Sequence, residues 1–181
     1  MRSHIVPVSV GIVAFLVLAL GGCSRWDPEQ AQKEDVLVKA TIAKFIKANA
    51  AIQTYFDNAY GYVVFPTVGK GGYIIGGGHG KGWVYAQNAL VGYARITQIT
   101  VGAQIGGQSY SEIIFFKDAP ALALFKTGNL TFAAQATAVI VTEGTSIDHS
   151  YNEGVAVFTL PKAGAMAEAS IGGQKFNYYP K

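Results

Sequence analysis

The sequence predicts an α+β fold: a curved or barrel-like antiparallel sheet with a long N-terminal amphipathic helix and one short inserted helix. Three observations predict it. Apolar residues recur at three- and four-residue steps through residues 30–56, and a period of two replaces this pattern from residue 59 onward. Glycine is also abundant, at 22 residues. The first period is typical of a helix face and the second of strands, while glycine favours the turns and bulges of β-rich folds.

The long helix is predicted from Gln30 to about Phe56, because this stretch contains no glycine or proline. Asp27, Pro28 and Glu29 precede it and supply a capping side chain, a first-turn proline and an acid near the positive end of the helix dipole. The apolar face expected to pack on the sheet comprises Val38, Ile42, Phe45, Ile52 and Phe56.

The strands are predicted from alternation and from turn residues. Residues 61–66 form a strand closed by a proline, and residues 72–76 and 82–86 form a hairpin whose turn is the glycine-rich segment 77–81. The short helix opens at Asp118 and runs to Lys126. Further strands are expected at 93–108, 111–116, 130–142, 154–160 and 164–178.

The first residues have the parts of a secretory signal peptide: Arg2, an uncharged apolar run over residues 8–20, and a small-residue exit. The apolar run is short for a membrane-spanning helix, which needs about 20 residues. The exit, Leu-Gly-Gly-Cys at residues 20–23, resembles the bacterial lipobox. We therefore expect residues 1–22 to be a lipoprotein signal peptide, residues 23–29 a tether acylated at Cys23, and residues 30–181 one domain. Ser24 favours the outer membrane, with the domain facing the periplasm.

Charge and composition exclude some functions. The chain has 14 Lys and Arg against 11 Asp and Glu, and removal of residues 1–22 takes away only Arg2. This mild balance does not indicate a nucleic-acid-binding protein, which needs clustered basic residues to neutralise phosphates. Cys23 is the one cysteine, so the mature domain is expected to be stabilised by apolar burial without disulfides.

Catalytic patterns are sparse, so we expect no enzyme activity, no cofactor and no metal site. The glycine-rich segment departs from a phosphate-binding P-loop at Ile75 and at Gly82, although its backbone N–H groups beside Lys81 could still form an anion-binding concavity. Asp148, His149 and Ser150 are adjacent, whereas a catalytic triad is a spatial arrangement. A hydrolase using His79 or His149 is the least favoured hypothesis.

The lysines give the more informative pattern. Several fall on the predicted helix away from its apolar face, where they either remain solvated or contact anionic lipid headgroups, at about 1 kcal/mol per lysine. Two more accompany the glycine-rich strands. The candidate lipid-binding residues are Lys33, Lys39, Lys44, Lys47, Lys70 and Lys81.

Several ordered motifs resemble those of the SYLF domain, over about residues 30–179. They are the segments 59–66, 71–77, 80–82, 101–108, 163–167 and 172–175. Tyr60 stands where that family often has lysine, and Ala103 where it often has leucine. The resemblance implies binding without catalysis, since eukaryotic members bind phosphoinositides and some bind actin. For an exported bacterial member it implies anionic phospholipids.

Two functions follow as expectations. The first is a lipoprotein that is anchored by Cys23 and binds anionic phospholipids at the bacterial envelope. The second is an envelope scaffold that binds another protein, with lipid supplied only by the anchor. Its candidate contact residues are the aromatics Trp83, Tyr85, Tyr178 and Tyr179, because exposed apolar patches commonly mark such surfaces.

Overall fold

In the computed structural model, the residues described are 28–128, 138–141 and 151–181. The predicted signal peptide, Cys23, His149 and most of the strand expected at 130–142 lie outside them. The described residues form helices and strands. In chain order they are α1 (Pro28–Ala48), α2 (Ile52–Asn58), β1 (Gly61–Gly72), β2 (Ile75–Ala86), β3 (Ala89–Phe116), α3 (Ala119–Lys126), β4 (Ala138–Ile140) and β5 (Val155–Pro180).

The described strands form one five-stranded sheet in the order β1-β2-β3-β5-β4, in which β1 also pairs with β3. The first half of β3, to Val101, pairs with β2, and its second half, from Gly106, pairs with β1. The long strand β3 therefore bends around the β1–β2 hairpin, and β5 follows it antiparallel along its length. The predicted mixture of helices with a largely antiparallel sheet is confirmed. However, β4 pairs with β5 in parallel, and the described strands do not close into a barrel.

The predicted long helix is interrupted. It divides into α1 and α2 around Asn49, whose side-chain oxygen accepts a hydrogen bond from the Ala51 N–H at 3.0 Å. Asparagine commonly competes with helical backbone bonding in this way. The predicted apolar face is nevertheless confirmed, because Val38, Phe45 and Ile52 are buried.

The glycine-rich segment is the largest departure from the predicted strands. The turn lies at Tyr73 and Ile74, and residues 77–81 belong to the continuous strand β2. Strand β1 likewise does not end at Pro66 but continues with a register shift between Val64 and Thr67. Proline lacks an N–H for the ladder, which explains why it coincides with an irregularity.

Close packing against β1 accounts for the inward-facing glycines of β2. A Cβ atom on Gly80 would lie 2.8 Å from the Thr67 carbonyl oxygen, and one on Gly82 would lie 2.6 Å from the Phe65 ring. A Cβ atom on Gly77, which faces outward, would meet nothing within 4 Å. The glycines at 80 and 82 are thus required by the close approach of β1 rather than by a turn.

We therefore expect Gly82→Ala to lower the free energy of unfolding by about 1–3 kcal/mol, the usual cost of overpacking a core. Gly77→Ala is the matched control on the same strand and should change it by less than about 0.5 kcal/mol. Chemical denaturation of both variants measures the difference. Equal effects would contradict the close approach of Phe65 to β2.

Two hydrophobic cores lie on the two faces of the sheet. The inner face, which includes Val68, Ile96 and Phe176, is covered by α3 through Leu122 and Phe125. The outer face includes Val64, Phe115 and Phe158 and packs against α1 and α2. As predicted, Asp118 caps α3, its side chain accepting a hydrogen bond from the Ala121 N–H at 2.9 Å. Every residue of both cores lies between Val38 and Tyr178, so a chain beginning at Ser24 retains the whole described fold.

Candidate functional site

Part of the outer face is left open by α1 and α2, and basic side chains occupy it. On strands β2, β3 and β5, alternate residues of segments 75–81, 95–99 and 173–179 are exposed. The strand register places His79, Thr97 and Lys175 in one row across the three strands, and Lys81, Arg95 and Asn177 in the next. These three segments contain no Asp or Glu. We call His79, Lys81, Arg95 and Lys175 the basic face.

Aromatic rings and one helix residue hold the cations of the second row. The Lys81 ammonium lies 5.1 Å from the centroid of the Trp83 ring and 5.4 Å from that of Tyr93, and it pairs with Glu34 of α1 at 2.6 Å. The Arg95 guanidinium lies 5.7 Å from the centroid of the Tyr179 ring. Stacking on a ring restricts a long side chain while leaving its charge accessible.

The predicted lysines fall into different environments. Lys33, Lys39, Lys44 and Lys47 are all exposed on α1, as expected, although Lys39 forms an ion pair with Asp35 at 2.6 Å. The same helix also carries Glu29 and Glu34, so its positive charge is partly cancelled.

Lys70 differs from the other candidates. Its side chain is only 5% exposed and lies on the inner face, since β1 places Lys70 opposite Gly78 of β2, two positions beyond the buried Val68. This burial disfavours contact of the ammonium with lipid headgroups, so Lys70 is not part of the surface that we consider further. Arg95 and Lys175, which sequence reasoning missed, take its place. The sequence signal that could have found them is the period of two, which places Arg95 and Lys175 on the exposed face of strands whose adjacent residues are buried.

Polar side chains are also buried on the inner face, at the glycine-rich end of the sheet. Glu112 is completely buried, and its Oε2 atom accepts a hydrogen bond from Gln174 Nε2 at 3.0 Å. The Tyr110 hydroxyl donates to Gln98 Oε1 at 2.9 Å. Burial raises the pKa of Glu112 to about 7, although the hydrogen bond from Gln174 opposes the shift. The sequence shows Glu112 as one acid within the apolar run 111–116, a position that favours burial.

Side chains that could bind a metal ion are dispersed over the described ranges. Within residues 28–128, 138–141 and 151–181, no three His, Cys, Asp or Glu side chains converge to hold a metal ion. His79 is exposed, with Gly69 and Thr97 as its cross-strand partners. His149, the other candidate for hydrolysis, lies outside the described residues. None of the helices described is both long and apolar enough to cross a membrane.

Comparison with known proteins shows a distant similarity over most of this chain. The chain is 25% identical over 145 residues to Beta cell expansion factor A of Aeromonas veronii. The match covers 78% of this chain and 54% of the relative, so the chain spans about half the length of the protein that it matches. No family model matches the chain. The resemblance to the SYLF domain therefore stays a prediction.

Proposed function

We propose that this chain is a bacterial envelope lipoprotein whose domain binds anionic phospholipids through the basic face. The observation that carries the proposal is the placement of Lys81, Arg95 and Lys175 in adjacent rows of an open sheet face. These three cations, of which Lys81 also pairs with Glu34 of α1, suit a surface of negative headgroups, where each contributes about 1 kcal/mol.

The tether predicted at Cys23 is compatible with this surface. Glu34 contacts Lys81, so the N-terminal part of α1 lies beside the basic face. Cys23 precedes the first residue of α1, Pro28, by five positions, and five extended residues reach no more than about 18 Å. An acyl chain at Cys23 would therefore hold the domain close to a bilayer, in the proposed location at the periplasmic side of the outer membrane.

The SYLF-like motifs provide a second line of support. The segments 71–77 and 80–82 lie at the hairpin, and 101–108 and 172–175 lie on the neighbouring strands β3 and β5. These four motifs thus lie on neighbouring strands beside the basic face, whereas the segment 59–66 includes the opposite end of β1. Membership of that family, with its lipid-binding function, is part of the proposal.

The proposal is tested with the chain from Ser24 to Lys181, which lacks the acylation site. It should sediment with vesicles of phosphatidylglycerol and phosphatidylcholine, and much less with phosphatidylcholine alone. Because surface charges are screened over about 8 Å at physiological salt, binding should fall steeply as salt rises. Equal recovery with both vesicle types, or recovery with neither, would count against lipid binding and favour the protein scaffold.

Two triple variants that remove equal charge locate the site. Lys81→Gln, Arg95→Gln and Lys175→Gln together should weaken binding at least about tenfold, given about 1 kcal/mol per cation. Lys33→Gln, Lys44→Gln and Lys47→Gln together should have a smaller effect, because these lysines lie on α1 and not on the open face of the sheet. Circular dichroism checks that both variants fold. The reverse order of effects would place the site on α1.

A further inference from the structure

The hairpin end of the outer face carries large apolar side chains that no core includes. Tyr73 and Ile74 form the turn between β1 and β2, and Ile75 begins β2. Their exposed fractions are 67%, 59% and 69%, and Ile99 on β3 is 61% exposed. The register pairs Ile75 with Val101 and Gly77 with Ile99, so Ile75 and Ile99 are diagonal neighbours on the outer face. We call Tyr73, Ile74, Ile75 and Ile99 the apolar end.

Scattered apolar residues are ordinary on a protein surface, whereas a contiguous group marks a surface that contacts something apolar. The basic rows next to the apolar end indicate which kind of apolar surface it contacts. The row of Ile99 is followed, two residues along the strand, by the row of His79 and Lys175. Two residues of strand span about 7 Å, which is close to the headgroup thickness of one leaflet, about 5–8 Å.

We propose that the apolar end enters the acyl-chain boundary of the bilayer while the basic face contacts the headgroups above it. This inference rests on the proposed lipid-binding function. It adds the depth in the bilayer at which the apolar end and the basic face each lie. A tyrosine beside two isoleucines suits that position, because its ring is apolar and its hydroxyl remains near the polar layer.

The strand pairing makes such contact with the acyl chains feasible. Unpaired backbone groups are excluded from hydrocarbon because they have no partner there. Here Gly72 pairs with both Gly76 and Gly106, and Ile75 pairs with Val101. Both strands of the hairpin are therefore paired on each side as far as the turn, and entry exposes no open strand edge.

The test uses an environment-sensitive fluorophore on a single cysteine in the Ser24–Lys181 chain, which has no other cysteine. With phosphatidylglycerol-containing vesicles, a label at Ile74→Cys should shift to shorter wavelength and be quenched by nitroxides on the lipid acyl chains. The control is a label at Leu124→Cys. Leu124 is also exposed, at 46%, but lies on α3, whose Leu122 contacts the opposite end of β1 at Gly61. That label should show neither change.

Replacement of the two isoleucines provides a second measurement. Ile74→Asn with Ile75→Thr should reduce vesicle partitioning roughly tenfold or more, because the lost apolar burial is equivalent to more than one tenfold step. Leu124→Asn should leave it unchanged. If the protein sediments with anionic vesicles but the label at residue 74 stays aqueous, entry of the apolar end is overturned and lipid binding stands. If it does not sediment at all, both proposals fail.

Discussion

Replacing Phe45 by alanine is expected to lower the free energy of unfolding by about 3–5 kcal/mol, the usual cost of removing a buried phenylalanine. Phe45 is fully buried between α1 and the outer face. It belongs to the same core as Ile52 of α2 and Phe115 of β3. Loss of its ring would leave a cavity at the point where both helices meet the sheet, and packing of this apolar face is what keeps an amphipathic helix in place.

Chemical denaturation measures the free energy of unfolding of Phe45→Ala, with Lys44→Ala as the control at the neighbouring position. Lys44 is exposed on the same helix, and alanine is a good helix former, so the control should change the free energy of unfolding by less than about 0.5 kcal/mol. A loss below about 1 kcal/mol for Phe45→Ala would mean that α1 is not packed on the sheet.

The elements that were predicted correctly are those in which nearby residues alone specify the backbone conformation. The short helix α3 begins after Asp118, which caps it, and Gly128 follows it with a positive φ of 73°. The alternation of residues 94–100 is also confirmed, with the even-numbered residues buried and the odd-numbered ones exposed. In both cases the residue types and their spacing already specify the backbone.

The glycine-rich segment could not be predicted correctly, because glycine suits both a turn and a close approach between strands. Only the tertiary contact of Phe65 with Gly82 distinguishes the two. The same reasoning applies to Lys70. Inward positions on β1 include Phe65 and then Val68 and Lys70, so the irregularity at Pro66 shifts the alternation by one residue. A one-residue shift moves every later side chain to the opposite face.

Glu112 was visible in the sequence as an isolated acid, but nothing there selected its partner. Gln174 lies 62 residues further along the chain, and the two side chains meet on the inner face. Two buried atoms of this pair, Glu112 Oε1 and Gln174 Oε1, have no hydrogen-bond partner. Protonation of Glu112 would remove the cost of burying its charge and would give the carboxyl a donor, which makes the neutral carboxyl the form that suits this site.

The stability of the domain should consequently fall as the pH rises through the titration of Glu112. Its ordinary pKa is 4.5, and desolvation raises the pKa in the folded protein to about 7. The folded state therefore holds this proton where the unfolded state has released it. The contribution is fully present below about pH 4.5 and is lost as the pH approaches 7, with a total on the order of 3 kcal/mol.

Denaturation of the wild type and Glu112→Gln between pH 4.5 and 8 measures this contribution. Glutamine keeps the size of the side chain and can exchange two amide hydrogen bonds with Gln174, but it does not titrate. The difference in unfolding free energy between the two proteins should change by about 3 kcal/mol across this range in favour of the variant at high pH, because only the wild type must then bury a charge. Parallel profiles would show that Glu112 has the same pKa in both states, and hence that its carboxyl is not buried as described. Titrations of other groups affect both proteins equally and cancel in the difference.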